Sequence, residues 1–543
     1  LGHGILLDSK TIPQQKGLAT RSEEPSTWFR FIVPSVADLF FVAILFSLSC
    51  GPFGVKLLND AGIGWHIRNG EQILQSRTIT RIDLFSSTMS GHNWYAWEWL
   101  YDVIIAAVHH WLGLNGVVFF TALVIAATFS VALRVGLKRG ASLPVMMVLL
   151  ALSIGAASIH FLARPHVLSW LFTVIWFHLV DSDATASGPR AFHRLFWYPL
   201  LMLAWANLHG GFLLGLLLPG LYFAGELIHL ATDLLGKDRR LILDKLNHLG
   251  AVIFLSFLAS LINPYGYRLY SHIYEYLTNR FLMDHIDEFL SPNFHGGAQQ
   301  CFAAILLITL VALACAKEKV TPGRILVVVF AAYSGLYSSR NLPVSSILLV
   351  LMIAPILTVT IANAARNQIV FPPRKVFASI SSFSNRMNSV ESSLRGHLWA
   401  ASALILGIAI CMHGGRLANQ QWMNSHFSSK RFPVEATHVI LSRQIHDPIF
   451  CPDYWGGYLI YRLYPQSRVV IDDRHDLYGE NFLKEYLQVI HAAPEWSSLL
   501  DRERVNWVLA PAHSPFANIL ELSPNWKTDY EDGTARLFER TEK

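Results

Sequence analysis

Eleven apolar runs, most of about 17–22 residues, divide this chain, and runs of that length cross a hydrocarbon core of roughly 30 Å. They fall near 31–51, 115–136, 142–160, 166–181, 196–209, 211–232, 249–264, 300–316, 324–339, 343–363 and 397–413. Of the 543 residues, 52% are hydrophobic and only 15% charged, where a soluble protein carries about a quarter. The expected fold is therefore an α-helical polytopic membrane protein.

Loop charges give its orientation by the positive-inside rule. Lys10, Lys16, Arg21 and Arg30 precede the first run and place the N-terminus in the cytoplasm. The loops with Lys138–Arg139, Arg190 and Arg194, Lys237–Lys245 and Lys317–Arg324, and the long Arg366–Arg395 connection, then also fall inside. An odd number of spans leaves everything after His413 outside. The stretch WEWLYDVIIAAVHHWL (97–112) would reverse that parity if it crossed the membrane. Trp97, Leu100, Ile104, Ile105, Val108 and Leu112 make one apolar face, with Glu98, Asp102 and His109 elsewhere. It is expected to lie on the outer surface. The polar leader before the first run is too long for a cleaved signal, so that run reads as an anchor.

Three parts follow: a cytoplasmic tail (1–30), a membrane body (31–413) with a long first outer loop (52–114), and a soluble outer domain (414–543). The Ser/Asn-rich SISSFSNRMNSVESS (379–393) reads as a flexible linker. In the outer domain, strand-like runs at 448–451, 468–471, 505–509 and 535–538 alternate with helical periodicity in 480–492 and 515–522. That is the pattern of a small α/β domain with some parallel strands. Four of the five cysteines sit in or beside spans, and Cys451 stands alone in the tail, so no disulfide framework is implied. The net charge of +5 forms no concentrated basic face, which argues against a nucleic-acid partner.

The polar residues with chemical potential gather at the outer ends of the spans. Asp60 follows the first span directly, where scarce water favours a raised pKa and general-base behaviour. The first loop adds His66, Asp83 and Glu98, with Trp65, Trp94, Trp97 and Trp99 read as anchors at headgroup level. Further outer ends carry Arg164 and His166 (ARPH), Asn207 and His209 (NLHGG), Asn263 (NPYG, a helix-terminating turn), Asp287 and Glu288, and Arg340 (SSRN). Two arginines with several histidines and carboxylates at one depth suit an anionic headgroup. The soluble tail could gate the site or position an acceptor, but its acidic VVIDDRHD run, with Asp472, Asp473 and Asp476, reads first as a strand ending in a polar turn.

The stretch D-x5-H-I-x2-G-x2-I-L (Asp60, His66, Gly70, Leu74), then I-D-x-F-S (Ile82 to Ser86) and WYAWEWL (Trp94 to Leu100), resembles the type C glycosyltransferase superfamily. More specifically it resembles the bacterial branch related to protein mannosyltransferases and aminoarabinose transferases. ARPH, NLHGG, NPYG, SSRN and DYWGGYLIYRLYP…VVIDDRHDLYG are similar to that branch too, so the likeness covers nearly the whole chain. It implies a multi-span enzyme of the bacterial cytoplasmic membrane, using a polyprenyl-phosphate-linked sugar on the outer face and a first-loop aspartate as base. Relatives often carry two acidic residues after the first span; here position 62 is Gly, which weakens the case for a two-carboxylate metal site there.

The expected roles are Asp60 as base, Arg164 and Arg340 on the donor phosphate, and His66, Asp83 and Glu98 orienting the acceptor or a cation. His166, Asn207 and His209 would line the pocket. A divalent cation would be held by Asp83 with Asp287 or Glu288, since carboxylates suit hard cations. The acceptor is a glycan, lipid or protein. Two other readings stand beside this one: a transporter or lipid flippase, for which Asp38 inside a span would count, and a non-catalytic assembly protein.

Overall fold

The computed structural model describes residues 28–186, 192–233, 236, 238–366, 373–394 and 396–541. Lys10, Lys16, Arg21, Arg190, Lys237 and Arg395 of the charge argument lie outside them. A helix stands at every one of the eleven expected spans. Among the described residues, eight are long and apolar enough to cross a membrane: Arg30–Ser49, Trp99–Lys138, Leu143–His160, His166–Thr185, Gly210–Thr232, Arg239–Ser260, Gly297–Ala314 and Ser339–Ala364. Pro322–Tyr337 and His397–Met412 are shorter apolar helices, and Trp197–Leu208 is shorter still. The chain is a multi-pass helical membrane protein.

Three details of the membrane body bear on the sequence reading. Asp38 lies within the Arg30–Ser49 span, toward its N-terminal end. It sits in the first turn of the Val36–Ser49 helix and forms a capping box with Ser35, whose Oγ donates to Asp38 Oδ2 at 2.6 Å. Arg134 Nη2 reaches its other oxygen at 2.9 Å. An acid at a helix N-terminus satisfies free N–H groups, so this charge is no sign of a transport path.

The 97–112 segment is helical from Trp99 and is set off from the following span by a kink at Gly113 (φ 60°, ψ −160°). Tyr101, Asp102, Ile105 and Ala106 are buried, and this part packs on the Gly62–Ser76 helix.

The Ser/Asn-rich linker is a helix, Pro373–Ser393. Composition hid the i, i+4, i+7 spacing of Phe383, Met387 and Val390, which gives one apolar stripe. Glu391 on this helix accepts from Val36 N at 2.7 Å and Ala37 N at 3.1 Å, capping the first span.

Beyond His413 the α/β character holds. A four-stranded sheet runs in the order Ile449–Phe450, Trp507–Pro511, Ala535–Arg540, Trp526–Glu531; the first pair is parallel and the others antiparallel. Val469 bridges in parallel to Ile449 and, on its other side, to Ser86 of the first loop. Ser87 N donates to Val469 O at 2.8 Å, and Thr88 Oγ1 to Val470 O at 2.7 Å. The first loop and the tail are thus stitched together by backbone pairing.

A second seam is helical. The Gly62–Ser76 helix crosses the Asp453–Leu463 helix so closely that a Cβ on Gly64 would stand 2.1 Å from Gly457 O. Only glycine permits that approach. Gly64→Ala is expected to cost about 1–3 kcal/mol through overpacking, read as a lower thermal midpoint and faster proteolysis between the tail and the membrane body. An unchanged midpoint would show the seam to be loose.

Candidate functional site

The seam closes one side of a cavity of about 400 Å³ at one end of the helix bundle. Span ends supply part of its wall and the tail supplies the rest. Leu57 and Leu58, both buried, fix the chain where it leaves the first helices. Asp60 then turns back, its Oδ1 accepting from Gly62 N at 2.8 Å as the next helix begins. Arg164 comes from the turn before the His166–Thr185 helix, and its Nη2 lies 2.7 Å from Asp60 Oδ1 and 2.5 Å from Asp473 Oδ2. Trp65 Nε1 donates to the other Asp473 oxygen at 3.0 Å.

One guanidinium therefore bridges a carboxylate of the membrane body and one of the tail. The space they share is the space a side chain at position 62 would take, since a Cβ there would stand 2.6 Å from Asp473 Oδ2 and 3.0 Å from Asp60 Oδ1. Burial pushes the Asp473 carboxyl up to about 7; Arg164 opposes this and the charge of Asp60 adds to it. Arg164, partly buried, is held firmly charged by Asp60 and Asp473.

A less charged group lies deeper. Glu98, at the start of the Trp99–Lys138 helix, stands between His66 Nε2 at 3.8 Å and His209 Nε2 at 3.6 Å. Burial, with the nearby Asp102, raises Glu98 to about 8, so it is largely neutral at pH 7. Burial lowers both His66 and His209 well below their usual value, leaving them uncharged. His66 Nδ1 is fixed at 2.5 Å from Asp102 Oδ1, and His209 Nδ1 at 2.8 Å from Ser169 Oγ.

On the far wall Arg340 Nη1 binds Glu288 Oε1 at 2.7 Å and stacks over Phe289 at 5.1 Å. Burial works against the Glu288 carboxylate, but Arg340 and Arg164 outweigh it and hold it at about 2.

Asp60, His66, Glu98, Arg164, His166, His209, Asp287, Glu288 and Arg340, all expected from sequence, line this one cavity. Asn207 and Asp83 do not. Asn207 accepts from Trp99 Nε1 at 2.9 Å and donates to Ile262 O at 2.9 Å, fastening the wall from behind. Asn263 caps the end of its helix as expected, donating to Ser260 O and accepting from Tyr265 N.

Asp83 is wholly buried, 2.8 Å from Arg474 Nη1, so it neither orients an acceptor nor joins Asp287 and Glu288 around a cation. Among the described residues, no group of three or more His, Cys, Asp or Glu is placed to hold a metal ion. Trp65, Trp94 and Trp97, read from sequence as headgroup anchors, line the cavity, and Trp99 donates to Asn207.

The sequence allowed the tail a place at the site without naming the residues that take it. Asp473, His475, Asp476, Tyr454 and Arg431 all line the cavity. The VVIDDRHD run makes isolated bridges at Val469 and then passes through a bend at Asp473 into the His475–Ile490 helix, and that bend forms part of the site's wall. Arg474 is clamped there between Asp472 (Nη2–Oδ2 2.7 Å) and Asp83, against the rings of Trp94 and Phe85. This buried ion group aims the neighbouring Asp473 inward. Breaking such a group leaves a charge unpaired. Asp83→Asn is expected to cost about 1.5–3 kcal/mol, the range for hydrogen bonds to charged groups. Thermal unfolding checks this, and an unaltered midpoint would refute the clamp.

No protein-family model matches the sequence, and no curated protein matches it either. Solved structures do. The oligosaccharyltransferase of Archaeoglobus fulgidus, tethered with an acceptor peptide containing the NVT sequon via a disulfide bond, aligns with a TM-score of 0.52 at 10% identity. The alignment covers 88% of this chain and 69% of that one. This chain shares its fold with that oligosaccharyltransferase. ArnT from Cupriavidus metallidurans in the apo state aligns over 92% of this chain and 97% of its own, with 12% identity and a TM-score of 0.48. ArnT bound to undecaprenyl phosphate gives a TM-score of 0.47 at 12% identity, over 93% and 97%.

Neutral His66, Glu98 and His209 offer donors and acceptors without net charge, and Trp65, Trp94, Trp97 and Tyr276 offer ring faces and edges. The volume is within the range of small-molecule sites.

Proposed function

We propose that this chain is an integral-membrane glycosyltransferase that moves a sugar from a polyprenyl-phosphate donor to an acceptor on the outer face. The observation that carries the reading is the meeting of Asp60, Arg164, His209 and Arg340, drawn from four separate span ends, in one cavity. The fold shared with an oligosaccharyltransferase supports it. Lys138, Arg139, Lys317, Lys319 and Arg324 lie at the opposite helix ends, which by the charge rule are cytoplasmic.

The reaction is a single displacement. The acceptor oxygen attacks the anomeric carbon, its proton passes to Asp60, and the bond from that carbon to the donor phosphate breaks, inverting the centre. Both contacts of Asp60, from Gly62 and Arg164, fall on Oδ1, so Oδ2 takes the proton. Asp60 and Asp473 orient the Arg164 guanidinium and Glu288 that of Arg340, and an arginine has five N–H donors in all. Their free edges meet the charge that develops on the leaving phosphate. The neutral histidines and Glu98 hold sugar hydroxyls.

Lipid extracts and surface glycans from cells with and without the protein test this. Cells lacking it should accumulate a polyprenyl-phosphate-linked sugar and lose one glycan modification. If neither changes, sugar transfer is the wrong reading and a non-catalytic assembly role gains. Of the other readings, transport loses its motive at Asp38, which caps a helix.

A further inference from the structure

At the other end of the bundle lies a second cavity, of about 500 Å³. The His166–Thr185 helix joins the two: Arg164 and His166 at one end line the first, Asp181 near its other end lines the second. Twenty residues of helix span about 30 Å, so the second cavity lies at headgroup depth in the opposite leaflet.

Its charge is unbalanced. Lys138, Arg139, Lys317, Lys319 and Arg324 line it, against the carboxylates of Asp181 and Glu318. Asp181 is fully engaged. Arg324 grips it with two bonds (Nε–Oδ1 2.9 Å, Nη2–Oδ2 3.0 Å), Arg139 binds the same Oδ2, and Tyr222 donates to Oδ1 at 2.6 Å. One carboxylate thus serves two guanidiniums. The Arg139 side chain is only 10% exposed, yet its Nε–H has no acceptor. Its Nη2 meets nothing better than Met352 Sδ at 3.9 Å. A buried guanidinium with unused donors is costly unless an anion completes it. The facing wall, with Met352, Ile356 and Val359, is apolar.

We propose that this cavity binds the phosphate headgroup of an anionic membrane lipid from the leaflet opposite the Asp60 cavity. Arg139, Lys317 and Lys319 take the phosphate oxygens, and the first methylenes of the acyl chains lie along Met352, Ile356 and Val359. Basic pockets between membrane helices recognise anionic headgroups in this way. An arginine that merely snorkels to bulk headgroups would be exposed, whereas Arg139 is enclosed.

The test uses the full chain in mixed micelles of phosphatidylglycerol and phosphatidylethanolamine, with native mass spectrometry of retained lipid. Wild type should retain phosphatidylglycerol selectively. Lys317→Gln and Lys319→Gln, at exposed positions where folding is safe, should each reduce that retention about fivefold. Equal retention of the two lipids by wild type, or no change in either variant, would overturn the proposal. Full displacement of phosphatidylglycerol by inorganic phosphate would also overturn it, since the site would then belong to the free ion.

Discussion

Replacing Asp60 by Asn is expected to lower the rate of sugar transfer by about 10²–10⁴-fold, the usual contribution of a positioned general base. The substitution keeps the size of the side chain and an oxygen for Gly62 N–H, so the helix start at Gly62 should survive. What it removes is the proton acceptor. The loss should therefore fall on kcat, with donor KM little changed, because the displacement, and not donor binding, needs the base. Purified protein in lipid, assayed for consumption of lipid-linked sugar beside a thermal unfolding curve, separates chemistry from folding. A variant that folds and transfers sugar at the wild-type rate would remove Asp60 from the mechanism. Loss of binding alone would recast it as an anchor for Arg164, whose Nη2 it contacts at 2.7 Å.

Asp60 was legible from sequence because its position is set locally, by the end of a span. The same holds for Arg164, His209 and Arg340: apolar length gives the helix, and the polar residue at its end must face the interface. What sequence could not give was pairing across distance. Asp473 meets Trp65 from 408 positions away, through a strand bridge at Ser86 and a crossing at Gly64 that no local pattern announces. Asp83 went astray for the same reason. An acid in an outer loop has no local mark that tells a solvent-facing ligand from the buried partner of Arg474. Gly62 was noted as a missing second acid, and the structure fills that place from the tail. The helix over 379–393 was missed because composition outweighed periodicity. In the membrane body, by contrast, one physical constraint, the thickness of the hydrocarbon layer, governs nearly every element.

Asp473→Asn should abolish a pH dependence that the wild type shows near neutrality. The Asp473 carboxyl sits at about 7 and shares Arg164 with Asp60. Below that pH it is protonated, and Arg164 is free to turn a charged edge to the donor phosphate. Above it, Asp473 is ionised and adds a negative charge beside that phosphate while competing for the same guanidinium. Donor KM in the wild type should thus rise about tenfold per pH unit above the inflection, and stay flat in the Asn variant, which is neutral throughout. Stability should follow the same sign. A carboxyl raised from 3.8 to about 7 by folding binds more protons folded than unfolded between those values. Stability therefore falls as pH rises through that window, and the penalty is complete above about 7. The gap in thermal midpoint between Asn variant and wild type should move in the variant's favour from pH 4 to pH 8. A donor KM that climbs equally in both proteins would assign the inflection to another group, with Glu98, raised to about 8 between two neutral histidines, the first to examine.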